Sequence, residues 1–303
     1  MKKIKILIII YLLFISFIFA QDTTIIEPEN KILKSITLNV GQGDATVIIF
    51  PNNKVMQIDA GKAGAYSRDR GLLVIIPFYK KLDINRINIA VATHPDLDHI
   101  GGYISILEDL LLDEFWDAQA YTSYAYKKIL KLIDNNNAGY YLGYNMIKDR
   151  IEELNKEEYF GKDVKLKIYG PLRDYGENNA NSLCIKITYK KVSFFFLGDS
   201  TKEAQEDMAY NWKEDLKTTV MLTPHHGSEH NYSPTFLSYA QPEVAICSVG
   251  LKNKYGHPSE KVLTAYAFAG VKIYRTDKLQ SHIEVETDGD TYKVNIIKAP
   301  FDD

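Results

Sequence analysis

Read for the alternation of apolar and polar positions, the chain falls into short strands punctuated by turn chemistry, with helical spacing between some of them. Residues 35–40 (SITLNV) alternate as a strand, 45–50 form a second, Pro51-Asn52-Asn53 make a hairpin turn and 55–59 return, so the ordered part opens as an antiparallel meander. Residues 71–82 are apolar with the length of a helix, and they cross over to 86–93 (RINIAVAT), which alternates and then runs apolar as a buried strand does. Positions 101–111 carry amphipathic helical spacing. Residues 112–162 are less regular: 121–134 and 147–158 have helical character on either side of the breaker Asn135-Asn136-Asn137-Ala138-Gly139, and their charges read as a solvated face. Tyr140, Tyr141 and Tyr144 near that break read as packing rather than as a stacking platform. Strands return at 163–171 (DVKLKIYGP), 182–190, 192–197, in TTVMLTPHHGS, where a strand from Thr218 is followed by the paired histidines, and at 243–250 (EVAICSVG), and a last hairpin turns at Asp288-Gly289-Asp290.

The first twenty residues stand apart from this pattern. Lys2, Lys3 and Lys5 precede an unbroken apolar run that ends at Ala20, just before QDTT, which reads as a secretory signal; an uncleaved anchor is the alternative, although the run is short for a span. No cysteine follows the run, so a lipoprotein anchor is not indicated. Residues 21–34 form a polar leader and 35–303 one domain, since no Pro-, Gly- or Ser-rich linker divides them. Losing residues 1–20 removes three of the 36 basic residues and none of the 39 acidic ones, so the net charge moves from −3 to −6. Such a protein is not a polycation, and phosphate would have to be drawn by bound metal and a local patch. Cys184 and Cys247 each lie in an apolar strand-like run and read as buried free thiols.

Candidate chemistry concentrates at residues 93–102, THPDLDHIGG, on the loop between the strand 86–93 and the helix that follows. His94, Asp96, Asp98 and His99 are four metal-binding side chains within six residues, whereas a loop that merely caps a helix needs one. Residues two apart on an extended segment point to one side, so His94 and Asp96 can share an ion while Asp98 and His99 turn toward a second; Gly101 and Gly102 let the backbone turn into the helix. Of seven histidines, five (His94, His99, His225, His226 and His257) lie just past strand ends, which argues that those ends converge on one site. His230 and His282 lack that placement. By spacing alone Asp44 and Asp59 read as turn residues, and Asp199 as the N-cap of a helix starting at Ser200.

THPDLDHIGG resembles the HxHxDH motif of the metallo-β-lactamase-fold hydrolases, in the HxDxDH form of the C-terminal domain of ComEC-type DNA-uptake proteins. NVGQGDAT, IDAG, FFFLGDS, LTPHHGS and NKYGHPS are also similar to that domain, so the resemblance runs from Leu38 to about Val294. It implies an α/β fold, a four-layer αββα sandwich in one domain, and one or two divalent ions, zinc or manganese. It implies His94, Asp96 and a bridging Asp199 at the first ion, and Asp98, His99, Asp199 and His226 at the second. The fold's usual third histidine for the first ion is missing, because no histidine stands between His99 and His225; Asn181 or Ser182 is nearest to that position. The resulting oxygen-rich set tilts toward manganese or a labile zinc.

The implied reaction is metal-assisted hydrolysis, in which Asp98 holds an ion and orients the attacking water and His225 or His257 protonates the leaving oxygen. Asn181, Ser182 and Ser228 are candidate substrate contacts. The implied substrate is DNA or another phosphodiester, outside the cytoplasm in the periplasm or beyond, with no membrane span once the signal is cleaved. The alternatives are another ester, such as a phosphocholine ester or a lactone, or a metal-binding scaffold without turnover.

Overall fold

The alternation along the chain resolves into two sheets whose inner faces meet. In the computed structural model, which describes residues 32–64 and 68–299, the first sheet takes β1 (Leu33–Thr37), β2 (Thr46–Ile49), β3 (Val55–Ile58), β4 (Arg86–Ala92), β5 (Leu111–Asp117) and β6 (Gly139–Leu142). The second takes β7 (Val164–Gly170), β8 (Cys184–Tyr189), β9 (Val192–Phe196), β10 (Val220–Leu222), β11 (Val244–Cys247) and β12 (Lys272–Arg275). The closing hairpin β13 (Ser281–Thr287) and β14 (Tyr292–Lys298) returns to the first sheet, giving the orders β14-β13-β1-β2-β3-β4-β5-β6 and β12-β11-β10-β9-β8-β7. These strands belong to one compact unit, Lys31–Asp303. The signal segment 1–20 and residues 21–31 of the leader lie outside the described residues.

Successive side chains on a strand point to opposite faces, and here each face has a cover. Ile89 and Val91 of β4, Ile185 and Ile187 of β8, and Phe194 and Phe196 of β9 meet in the core between the sheets. Ala90 and Ala92, on the other face of β4, pack beneath α1 (Ile76–Lys81), which extends a π-helical turn at Gly71–Ile75, and beneath α3 (Tyr103–Asp109) and α4 (Tyr124–Asn135). The short α2 (Leu97–Ile100) lies inside the metal-loop motif. α5 (Gly143–Lys156) sends Ile147, Ile151 and Leu154 into the inter-sheet core. Phe195 and Met221 are covered by α6 (Lys202–Trp212), α7 (Pro234–Ala240) and α8 (Glu260–Phe268). The result is the four-layer αββα sandwich implied by the sequence.

The parallel parts of the sheets set the position of the site. β3 and β4 run parallel through the α1 crossover, with Ile58 beside Val91, and β9, β10 and β11 run parallel, with Leu222 beside Ile246. A hydrogen bond of 2.8 Å from Leu183 N to Thr93 O ties the end of β4 to the entry of β8, so the carboxyl ends of β4 and β9 share one edge.

Three strands escaped the pattern reading, β5, β6 and the short β12. β5 carries Glu114 on the side where an apolar residue belongs; the carboxylate is buried and held by the Arg150 guanidinium of α5 and the Trp116 indole N–H. β6 is half-buried after the exposed Gly139, and its Tyr140 donates to Asp117 at 3.0 Å. Cys184 and Cys247 are buried free thiols.

Gly101 and Gly102 have ordinary helical φ values of −56° and −69°. Their role is therefore close approach rather than an unusual turn: a Cβ on Gly101 would lie 2.2 Å from Ala63 N, and one on Gly102 would lie 2.1 Å from Ala60 O. Gly102→Ala is expected to lower stability by about 1–3 kcal/mol through overpacking against backbone that cannot yield, read as a drop in the denaturant midpoint; an unchanged midpoint would show that the loop relaxes freely.

Candidate metal centre

Four chain segments are laced together by backbone hydrogen bonds at the shared edge. Asp59 N bonds to Val91 O at 2.9 Å, Ala60 N to His99 O at 2.6 Å, Gly61 N to Asp44 O at 2.7 Å and Asp44 N to Asp98 O at 3.2 Å. The Ser248 hydroxyl, from the end of β11, donates to Gly43 O at 2.7 Å. His225 N bonds to Gly198 O at 3.0 Å, which sets the paired histidines beside the end of β9.

All five strand-end histidines gather there. Ring centroids run 4.0 Å from His94 to His99, 5.4 Å from His99 to His226, 6.1 Å from His226 to His225 and 5.7 Å from His225 to His257. His230 is exposed, and His282 is elsewhere, accepting a 2.9 Å bond from Asn39 N.

Three of these rings have one nitrogen fixed by the protein. Thr93 donates its hydroxyl hydrogen to Asp59, so its oxygen accepts from His94 Nδ1 at 3.1 Å. His99 Nδ1 donates to Asp59 Oδ2 at 2.7 Å. His226 Nδ1 donates to Ser248 O at 3.0 Å and has Asp44 Oδ1 at 3.2 Å. With the rings neutral each Nε2 is left with a lone pair, and His94 Nε2, His99 Nε2, His226 Nε2 and Asp199 Oδ1 are all buried without a hydrogen-bond partner. Orphaned buried acceptors converging on one point are costly unless a cation satisfies them, so this donor set fits a divalent ion.

The spacing agrees. Asp199 Oδ1 lies 3.3 Å from His99 Nε2 and 3.6 Å from His226 Nε2, and its Oδ2 lies 3.8 Å from His94 Nε2. Asp98 Oδ2 is 3.8 Å from His226 Nε2. Donors about 2.1 Å from a tetrahedral ion stand about 3.4 Å apart. His94, His99 and Asp199 form one candidate ligand group, and Asp98, His99 and His226 another.

Charge points the same way. Burial pushes the His94 imidazolium down to about 3. On His99 burial acts likewise, but Asp199 and Asp59 outweigh it and hold the ring well above the usual histidine value. His226 is raised in the same way by Asp199 and Asp44. Burial opposes ionisation of Asp199, yet His226 and His99 keep its carboxyl well below the ordinary range. The acidic field of Asp199, Asp59 and Asp44 favours protonation of His99 and His226, so a cation competes with protons for the same Nε2 atoms and its affinity rises with pH.

Asp96 occupies the N-cap position of α2, but its side chain makes no cap bond. It accepts from Asn178 Nδ2 at 3.1 Å, lies 3.9 Å from His94 Nε2 and is 42% exposed. Asp199 is not a cap either, since the helix after it starts at Lys202 with Thr201 in the cap position. Ser182 is fully buried with its hydroxyl accepting from Asp199 N at 3.2 Å; it positions that carboxylate and offers no surface to a substrate. Asn181 binds Tyr175 N, Gln119 and Asp174. Ser228 is buried just past His226. His257 is half-buried, stacked on Tyr255 with centroids 5.7 Å apart, and burial lowers its ring to about 4.

The sequence reading missed the carboxylates behind the histidines. Asp59 and Asp44 read as turn residues, but both are buried, Asp59 against His99 and Asp44 against His226. The available signal was their place in the IDAG and GQGD segments. Asp59, His225 and His226 all have left-handed φ values, 55°, 48° and 55°, a conformation that costs a non-glycine residue about 1–3 kcal/mol and clusters at functional sites.

An αββα sandwich with histidines and carboxylates gathered at the edge where its sheets meet defines a class of proteins, most of them metal-dependent hydrolases. The chain belongs to the Metallo-beta-lactamase superfamily, whose family model matches residues 38–250. It is 26% identical over 255 residues to ComE operon protein 3 of Bacillus subtilis, covering 80% of this chain and 31% of that protein. It is 24% identical over 251 residues to Competence protein ComA of Neisseria gonorrhoeae, covering 82% of this chain and 32% of that one. The chain therefore spans about a third of the length of these relatives. Among solved structures, the metallo-beta-lactamase fold protein YhfI of Bacillus subtilis superposes with a TM-score of 0.50 at 7% identity, covering 87% of this chain and 100% of that one, a likeness of fold alone.

Asp59→Asn removes the charge behind His99 while keeping the shape of the side chain. It is expected to weaken zinc or manganese binding about 10–100-fold, measured by calorimetric titration of metal-free protein; parent-like affinity would mean that Asp59 serves only to hold the backbone and hydroxyl of Thr93.

Proposed function

We propose that the protein is an exported, metal-dependent phosphodiesterase acting on DNA. The observation that carries this reading is the convergence of three bare imidazole nitrogens on the unpaired Asp199 carboxylate. Divalent ions, zinc or manganese, supply Lewis-acid chemistry at such a site: they polarise a phosphoryl oxygen and bring deprotonation of water near neutral pH. The chain's own residues do the rest. Asp98 is 28% exposed and lies 3.8 Å from His226 Nε2, so it reaches both the candidate ion and solvent and is placed to orient the attacking water. His257 stands at the rim of the cluster; since burial keeps its ring neutral near pH 7, it takes up the proton released by the attacking water before passing one to the leaving oxygen.

A cleft of about 460 Å³ is lined by Gln119, Tyr144, Met146, Leu172, Arg173 and Asn181, and Gln119 reaches the site through Asn178, which donates to Asp96. It has the mixed apolar and amide character suited to a nucleotide flanking the scissile phosphate. The preference for DNA rests on the similarity to ComA, named a competence protein, and on the ComEC-type motifs. Export rests on the basic and apolar start of the chain. Among the described residues no helix is long and apolar enough to cross a membrane. The scaffold reading draws on one feature, the half-exposed Asp96, which makes the His94 side of the centre the weaker one.

Asp98→Ala is expected to slow hydrolysis of bis(p-nitrophenyl) phosphate and of single- or double-stranded DNA about a thousandfold or more while keeping its circular dichroism, and chelation of the parent should match it. His230→Ala, in the exposed segment beyond the site, should be indistinguishable from the parent. A metal-loaded parent inactive on every phosphodiester would leave another ester, or a scaffold, as the function.

A further inference from the structure

The chain lacks the histidine that would complete the His94 side of the centre, yet it carries two adjacent histidines after β10. Their surroundings differ. His226 Nε2 faces Asp199 Oδ1 at 3.6 Å and Asp98 Oδ2 at 3.8 Å. His225 Nε2 faces the other oxygen, Asp199 Oδ2, at 3.5 Å. That same oxygen is 3.8 Å from His94 Nε2, and His94 Nε2 is 3.9 Å from Asp96 Oδ2. The two rings stand at 89° with centroids 6.1 Å apart, so consecutive side chains address opposite sides of one carboxylate. Left-handed backbone at both residues produces this divergence.

We infer that the paired histidines divide between two cations: His225 joins His94, Asp96 and Oδ2 of Asp199, standing in for the missing histidine, while His226 serves with Asp98, His99 and Oδ1. This rests on the metal-centre reading above and moves His225 from proton donor to ligand, leaving His257 as the donor. Each half then has two nitrogens and two oxygens. The first half is no longer the oxygen-rich set expected when only His94, Asp96 and Asp199 were counted, and both halves suit zinc.

His225 also has the support a ligand needs. Its Nδ1 lies 2.6 Å from the side-chain amide of Asn231, and Gln205 Nε2 donates to Asn231 O at 2.6 Å, anchoring that residue. A half-turn of the amide presents Oδ1 as acceptor for Nδ1–H, which frees the Nε2 lone pair; amide oxygen and nitrogen are interchangeable in shape. Asn231 is accordingly a positioning residue for the first half-site.

The test counts ions. Metal-free full-length protein is titrated with zinc and, separately, manganese, and bound metal per chain is measured by elemental mass spectrometry after desalting. The parent should hold two ions, His225→Ala one, and His226→Ala one. With manganese, the coupled two-ion electron paramagnetic signal of the parent should give way to an isolated-ion signal in His225→Ala. Asn231→Leu, which leaves His225 in place, should weaken one of the two ions by about tenfold or more and keeps the inference testable if His225→Ala does not fold. Two ions at parental affinity in either His225→Ala or Asn231→Leu, loss of both ions in His225→Ala, or a parent that holds one ion would overturn it. Two ions falling to one without hydrolysis of any phosphodiester would uphold the division while removing the proposed function.

Discussion

The structure at this edge depends on one buried carboxylate. Asp199 ends a strand of the second sheet, is 4% exposed, and receives the free nitrogens of His94 and His99 from the first sheet and of His225 and His226 from the second. An ionised carboxylate removed from water without partners carries a penalty of several kcal/mol, so its surroundings are constrained to supply positive charge, either as protons on imidazole or as a cation. Every other site residue can be read as a consequence. Ser182 fixes the Asp199 backbone, Asp59 and Asp44 set two of the rings, and Thr93 sets a third.

The glycines belong to the same constraint. For His99 and Asp98 to reach Asp199, their loop must lie directly on the segment 59–63 and on the turn at Gly43. A Cβ at Gly43 would stand 2.3 Å from Asp98 O, and one at Gly101 or Gly102 would strike the backbone of Ala63 or Ala60. What reads in the sequence as a flexible GG pair is a contact surface. Its φ values are those of any helix, and only its lack of side chain matters.

Much of this was legible in the sequence because the relevant information was local. A histidine or aspartate just past an apolar strand is a statement about position, and five such histidines did come together. What was not legible lay in pairings across long separations. Asp59 looks like turn chemistry until His99, forty residues on, is seen against it. β5 was hidden because Glu114 breaks the apolar face and its neutralising partner, Arg150, comes from a helix beyond two further elements. The orientation of Asp199, one oxygen toward each histidine of the His225-His226 pair, is a matter of tenths of an ångström that no spacing rule encodes.

The site's geometry is in the end a property of the inter-sheet core. Its donors come from both sheets, so the separation of His94 from Asp199 is fixed only as firmly as the sheets are fixed to each other. That separation is held by interdigitated side chains, Ile89 and Val91 against Ile185, Phe194 and Phe196, and at the edge by the bonds from Leu183 N to Thr93 O and from Ser248 Oγ to Gly43 O. Close-packed interiors resist small displacements because each methyl group has neighbours on every side. The residues of this core include none of the donors, which lie at its edge. The distances among the donors are therefore set largely by hydrophobic packing that includes none of them.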